Sequence, residues 1–347
     1  MKLKYLIKGF IKSIPGIEKI YNFHKETGGT NNARYCYSVW MRHLVSAHEN
    51  GLNTIPKRIA ELGPGDSLGI GLSALLSGAE DYLALDIIKF SNEERNLKIF
   101  DELVFLFKNK TSVPLDSEFP NMHPALNSYE FPSHILTDEI LVKALDENRL
   151  AKIRNSIIGI EHPEKAPADT MIQYRVPWND AKVMEVESID MIISQAVLQH
   201  IDKLEETYAC MNKWLKKNGI MSHSIDLKSM GSSDTWDGHW GYSDAEWKIV
   251  RGRKNYLINR EPYSKHVELL KRNNLTILCD KKSISTSSFL NGKKLAEKFK
   301  KITHTDLTVS GTFIQAIKGA SLSVSIFWAK FLHTMSQMPE IDAVLVV

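Results

Sequence analysis

The feature that most constrains this chain is a short β-type run that ends in a cluster of glycines. Arg58-Ile-Ala-Glu61-Leu62 is followed directly by Gly63-Pro-Gly65-Asp66-Ser-Leu-Gly69. Glycines just after a strand allow a tight turn and let a ligand approach the backbone closely. Leu68, Leu72, Leu75 and Leu76 then recur at helical spacing, and Asp81–Leu85 reads as a second strand ending at Asp86. Strand, helix and strand within about 30 residues make a parallel βαβ unit, since parallel neighbours need a crossover. The helix after the turn presents unpaired N–H groups. A carboxylate at the end of the second strand can accept hydrogen bonds from both hydroxyls of a ribose.

The alternation continues. Ser91-Asn-Glu-Glu94 has capping-box form and opens a helix through Leu97, Phe100, Leu103 and Val104. Beyond that helix, Pro114, Pro120, Pro124 and Pro132 interrupt any regular pattern, and a helix is expected over 137–156. This stretch is long for a connection, so 91–170 reads as an insertion of the lid or binding-loop kind. Further strands are expected at Met171–Val176, Ile189–Ser194, Ile220–Ile225, Leu275–Asp280 and Leu307–Ile317. Asp202 is placed to cap a helix bearing Leu204, Tyr208, Met211 and Leu215, which should stop at Lys216-Lys217-Asn218-Gly219. Ser264 is placed to cap a helix running to Asn273. The division that results is a helical cap over 1–50, a main domain over 51–318 and a tail over 319–347.

The cap is broken at Pro15-Gly16 and Gly28-Gly29. Within it, Leu3, Leu6, Ile7, Phe10, Ile11 and Ile14 recur at three- and four-residue spacing, with Lys2, Lys4, Lys8 and Lys12 between them. Two readings stand: a helix packed on the main domain, or a basic amphipathic helix touching an anionic membrane surface. The segment lacks the clean apolar block and cleavage site of an export signal. No run approaches the ~20 apolar residues that span a bilayer. Net charge is only +3, which argues against nucleic acid as a general partner. Cys36, Cys210 and Cys279 lie far apart, with no metal-ligand spacing. Neither a structural zinc site nor a disulfide framework is expected, and reduced thiols fit a cytoplasmic protein.

Spacing within the glycine turn separates two nucleoside cofactors. A dinucleotide fingerprint has the form G-x-G-x-x-G/A. Here Leu68 occupies the third such position, and the glycine comes one residue later, at Gly69. Asp66 also repels a diphosphate and attracts a sulfonium or an ammonium. The pattern favours a nucleoside carrying positive charge.

With that, the segment Glu61-x-Gly63-x-Gly65-x-x-x-Gly69 resembles motif I of the class I S-adenosylmethionine-dependent methyltransferases. Ser188-Ile-Asp190-Met-Ile-Ile-Ser194-Gln195-Ala-Val-Leu-Gln-His200 resembles the family's fourth-strand segment. Trp214-Leu-Lys-Lys-Asn-Gly219 resembles its junction into the fifth strand. The resemblance covers about Arg58–Lys318 apart from the insertion. It implies a doubly wound, seven-stranded, mostly parallel Rossmann-like sheet whose last strand is antiparallel. It also implies S-adenosyl-L-methionine as cofactor, with Glu61, Gly63, Gly65, Asp66, Gly69 and Asp86 around it. Asp180, after the third strand, would contact adenine, or would only cap a turn. Gln195 would border the methionine end, or would be a solvated loop side chain.

For a hydroxyl acceptor, a general base near neutral pKa is useful. His200 is the leading candidate by resemblance and His223 the second, with Asp226 and His239 also near strand ends. Ser194-Gln-Ala-Val lacks the N/D-P-P-Y/F pattern for amide or exocyclic nitrogens, and no Pro-Cys pair offers a thiolate nucleophile. A hydroxyl of a small molecule or glycan remains. Two aromatic segments look suited to substrate: Arg34, Tyr35, Tyr37 and Trp40 before the sheet, and Trp236, His239, Trp240, Tyr242 and Trp247 after the fifth strand. Packing on the domain is the plainer account of both. Together they resemble bacterial methyltransferases associated with surface-glycan biosynthesis. The competing reading is a non-catalytic S-adenosylmethionine-binding protein; a nicotinamide oxidoreductase is disfavoured by Asp66 and Leu68.

Overall fold

In a computed structural model, residues 2–14, 29–120, 122–178, 180–254, 257–290 and 292–319 are described. The expected breaks at Pro15-Gly16 and Gly28, the residue Asn179, and the tail from 320 lie outside them.

All the strand candidates enter one sheet. β1 (Arg58–Leu62), β2 (Asp81–Leu85), β3 (Ile172–Arg175), β4 (Ile189–Gln195), β5 (Leu215–Asp226), β6 (Leu275–Ile284) and β7 (Val309–Lys318) lie in the order 3-2-1-4-5-7-6. Pairings from β3 through to β5 are parallel; β7 runs antiparallel between β5 and β6. This is the mostly parallel seven-stranded sheet that the family resemblance implies. Chain direction around the sheet reverses between β1 and β4.

The strands are buried on both faces, and their side chains divide by period two. Ile59, Met191 and Ile193 join Trp40, Leu72 and Phe100 on one side. Ala60, Leu62 and Ile192 join Tyr208, Trp214 and Leu269 on the other. The first side is covered by α2 (Ala33–Glu49), α3 (Gly69–Leu76) and α4 (Glu93–Lys108), the second by α7 (Leu204–Trp214) and α9 (Tyr263–Arg272). Between them in the chain come α5 (Asp138–Ala144), α6 (Glu147–Ile158) and α8 (Asp244–Arg251). α1 (Lys2–Ser13) begins the described chain, and α10 (His304–Thr308) precedes β7.

Several local expectations change. Residues 137–156 form two helices, because the Asp146 carboxylate accepts from the Asn148 and Arg149 N–H groups and starts the second one. Asp202 does not cap α7; it holds Arg251 through two hydrogen bonds of 2.9 and 2.7 Å. Ser264 lies inside α9 and donates to Asp306. α7 stops at Trp214 rather than at Gly219, because Leu215 already pairs with Ile189 and Lys216 reaches Asp190 at 2.8 Å.

Much of 109–137 packs on α2 without regular structure. Arg42, fully buried, donates to the carbonyls of Pro114 and Pro124 and to Asp116. The second aromatic segment is interior: Trp240 packs with Phe299 and Leu307, and Tyr242 with Trp247 and Leu257. No helix among the described residues is long and apolar enough to cross a membrane.

Candidate functional site

Where chain direction reverses, the loops at the carboxyl ends of two neighbouring strands part, and this opens a crevice. In this molecule a cleft of about 450 Å³ lies there. Gly63 and Gly65 line it from the β1 turn, Asp86 and Ile87 from the end of β2, and Trp178 and Asp180 from beyond β3. Gln195, Ala196 and Val197 line it from the end of β4, and His200, Glu206 and Cys210 from farther along the chain.

The glycine turn works through its backbone. Gly63 and Gly65 have φ of +65° and +75°, a region that L side chains rarely enter. The Gly63 N–H donates to the Leu85 carbonyl at 2.8 Å, locking the turn to β2. A Cβ on Gly63 would stand 2.6 Å from a Val197 methyl, so the loops after β1 and β4 meet only because this residue is glycine.

Asp86 faces the cleft with one carboxylate that is already partly engaged. Its Oδ1 accepts from the Ile87 N–H at 2.7 Å, and Oδ2 from the Gly65 N–H at 3.4 Å. Burial raises its pKa above the ordinary carboxyl value, while these N–H groups pull it back. The carboxylate thus bridges the ends of β1 and β2 and keeps lone pairs for a ligand. Asp180 accepts from the Lys182 N–H at 2.9 Å, so it caps a turn and also lines the cleft.

His200 ends a 3₁₀ turn, Leu198–His200, just after β4. Three hydrogen bonds from Asn259 clamp that turn: its N–H to the Gln199 carbonyl at 2.6 Å, and its side-chain amide to Leu198 and Ile201 at 2.8 and 2.9 Å. Burial lowers the His200 pKa below the ordinary imidazole value, with Asp226 pulling the other way. The imidazole is therefore neutral at pH 7.

Four residues that the sequence pointed to are not among those lining the cleft. Glu61 is buried in β1, where it accepts from the Tyr82 hydroxyl at 2.5 Å. Burial raises its pKa to about 8. Asp66 is covered by the segment before α2, and its N–H donates to Thr30 Oγ1 at 2.9 Å. Gly69 is a packing glycine, since a Cβ there would meet Cys36 Sγ at 2.5 Å. His223 corrects the sequence reading most plainly. It is wholly buried on β5 and bonded to Ser194 Oγ at 2.8 Å, and burial first, then His43 and His266, hold its pKa at about 3. It has no surface on the cleft, where an acceptor would have to lie.

The alternatives fare no better. His239 is buried against Trp240 with its pKa near 3. Arg34, from the first aromatic segment, is committed to Glu118 through two bonds of 2.7 Å. Sequence reasoning missed Ile87, Trp178 and Asn259. Ile87 directly follows the strand-ending acid, and Trp178 is two residues before Asp180, so adjacency was a usable signal. Asn259 carried none, because its partners lie some 60 residues away in the chain.

No protein-family model matches the chain, and no curated protein does. Solved structures do. A Mesorhizobium loti S-adenosylmethionine-dependent methyltransferase is 14% identical, covering 84% of this chain and 100% of its own, with a TM-score of 0.39. Haemonchus contortus phosphoethanolamine N-methyltransferase 2, in complex with S-adenosyl-L-methionine, is 13% identical over 83% of this chain and 57% of its own, TM-score 0.38. A putative sarcosine dimethylglycine methyltransferase from Galdieria sulphuraria is 12% identical over 80% and 84%, TM-score 0.41. The fold assignment rests on the strand order.

Proposed function

We propose that this chain is an S-adenosylmethionine-dependent methyltransferase acting on a hydroxyl group of a small molecule or glycan. One observation carries the reading: two positive-φ glycines and a strand-ending carboxylate converge on a single cleft where the sheet reverses direction. The cleft volume of about 450 Å³ lies within the ~300–1,000 Å³ range of small-molecule sites.

In this reading residues 51–318 are the catalytic domain, interrupted at 91–170, and 1–50 are a cap. Asp86 holds the ribose hydroxyls, and the turn at Gly63 and Gly65 admits the nucleoside against bare backbone. Trp178 and Asp180 flank the adenine, and Gln195 borders the methionine end. Bound S-adenosylmethionine supplies an electrophilic methyl carbon on a sulfonium. The chain then aligns the acceptor oxygen with that carbon and excludes water. An imidazole nitrogen of His200 would take the hydroxyl proton as the carbon–oxygen bond forms and the methyl carbon–sulfur bond breaks, with S-adenosylhomocysteine as the leaving group. Asn259 keeps the ring aimed by fixing its turn. Glu61 supports the site from behind, through Tyr82.

Titration calorimetry with S-adenosylmethionine and with NAD tests the cofactor. A labelled-methyl screen over glycans, sugar nucleotides and small hydroxyl compounds tests the reaction. Failure to bind S-adenosylmethionine ends the reading. Binding without S-adenosylhomocysteine formation on any acceptor leaves the non-catalytic binding protein.

A further inference from the structure

We propose that α1 and α8 form a docking surface for an anionic lipid bilayer, with α1 lying in the interface. The proposal is independent of the methyl-transfer reading.

α1 is docked by one face. Tyr5 and Leu6 pack with Tyr242 and Trp247, and the Tyr5 hydroxyl donates to Asp234 at 2.7 Å. The contact with α8 is backbone to backbone: a Cβ on Gly9 would stand 2.0 Å from the Ile249 carbonyl oxygen. The opposite face is bare among the described residues. Leu3 and Phe10 are 66% and 64% exposed, and Ile7, Ile11 and Ile14 are also exposed. At ~100° per residue, the four of these that lie within α1 fall within an arc of roughly 100°, a full amphipathic stripe. Ile249 on α8, whose carbonyl meets Gly9, is exposed as well.

Charge decides which partner fits. Lys2–Ser13 has four lysines and no acidic residue. The acids on neighbouring elements are already paired: Glu246 with Lys2, Asp234 with Lys4, and Asp244 with Arg260. Lys8 follows Ile7 on the helix and flanks the stripe on one side, next to Lys4, which is held by Asp234. An apolar stripe edged by lysines matches acyl chains below anionic headgroups. Two copies of α1 packed face to face would instead bring their lysine rows together. The surface is joined to the cleft, because Arg251, the last residue of α8, holds Asp202 on its rim.

The test is co-sedimentation of the full chain with vesicles of phosphatidylcholine alone, or with roughly one-third phosphatidylglycerol. Binding to the mixed vesicles is expected, weakening with added salt and much weaker on phosphatidylcholine alone. The double variant Leu3→Glu/Phe10→Glu should bind at least ~10-fold less, and Lys8→Glu several-fold less. Both sites are exposed, so circular dichroism and thermal melting should match wild type. A chain lacking 320–347 should still bind. The proposal is overturned by wild type staying in the supernatant, by the double variant binding equally, by equal binding to both vesicles, or by loss of binding on removal of 320–347 alone. A dimer that Leu3→Glu/Phe10→Glu dissociates would assign the face to a second copy instead.

Discussion

The two halves of the sheet solve different problems with different material. On the β1–β2 side the cleft is built mainly from backbone: two positive-φ glycines, N–H groups and one carboxylate. Two buried acids on that side, Glu61 in the strand and Asp86 at the cleft, have pKa values that burial raises. On the β5–β7 side the interior is built from side chains. His43, His223 and His266 are fully buried, each with one nitrogen bonded to a hydroxyl, and burial holds them at about 4, 3 and 4. The contrast teaches that a histidine near the end of a central strand is not thereby a base. His200 lines the cleft on a clamped turn; His223, one strand over, is core.

The comparison breaks most sharply at Gly63. Gly63→Val imposes a branched residue at φ +65° and drives it into Val197. Left-handed strain of ~1–2 kcal/mol plus overpacking of ~1–3 should weaken S-adenosylmethionine binding by ~100-fold or more. Calorimetry on a folded variant with unchanged affinity would remove the glycine turn from the site.

The histidine contrast comes next. His200→Gln should lower turnover by ~100-fold or more with cofactor affinity nearly unchanged, while His223→Gln should leave turnover within a few-fold of wild type. The acid limb of the wild-type rate profile should lie below the ordinary imidazole value of 6.5, because burial lowers the His200 pKa. Steady-state kinetics in which His223→Gln is the more damaged variant would reverse the assignment.

In the proposed reading Asp86→Ala deletes an acceptor for two ribose hydroxyls, each charge-assisted bond contributing about 1.5–3 kcal/mol. Affinity should fall by at least ~10-fold with the fold retained. An unchanged dissociation constant would place the ribose elsewhere.

The two halves should also respond oppositely to pH. The buried histidines have folded pKa values below their unfolded 6.5, so they lower stability as pH falls from 6.5 towards 4. Glu61 has a folded value of about 8 against 4.5 unfolded, so it lowers stability as pH rises through that window. Each group contributes a slope of up to ~1.4 kcal/mol per pH unit. Urea unfolding should show Glu61→Gln flattening only the rising-pH side and His266→Phe only the acid side. The smallest effect expected is at Asn259: Asn259→Ala should reduce turnover by roughly 3–10-fold through loss of about 1 kcal/mol of hydrogen bonding to the His200 turn. Cofactor affinity should barely move.

Sequence periodicity and punctuation determined a great deal. Buried strands are short apolar runs, and β1, β2, β4 and β6 start where those runs start. Glycines after a strand and an acid ending the next are local signals, so Gly63, Gly65 and Asp86 were legible before any contact was known. Tertiary structure decided the rest, because burial and partner choice are not local. Glu61 and Asp66 belong to the same motif as Gly63 and Gly65, yet the sheet and the segment before α2 cover them. Trp240 and Tyr242 suit either a substrate or packing on the domain in sequence, and contacts with residues up to about 70 positions away make them core. His200 and His223 have the same chemistry and nearly the same distance from a strand end. Only the packing of α2, α7 and α9 around β5 put one at a cleft and left the other dry, neutral and enclosed.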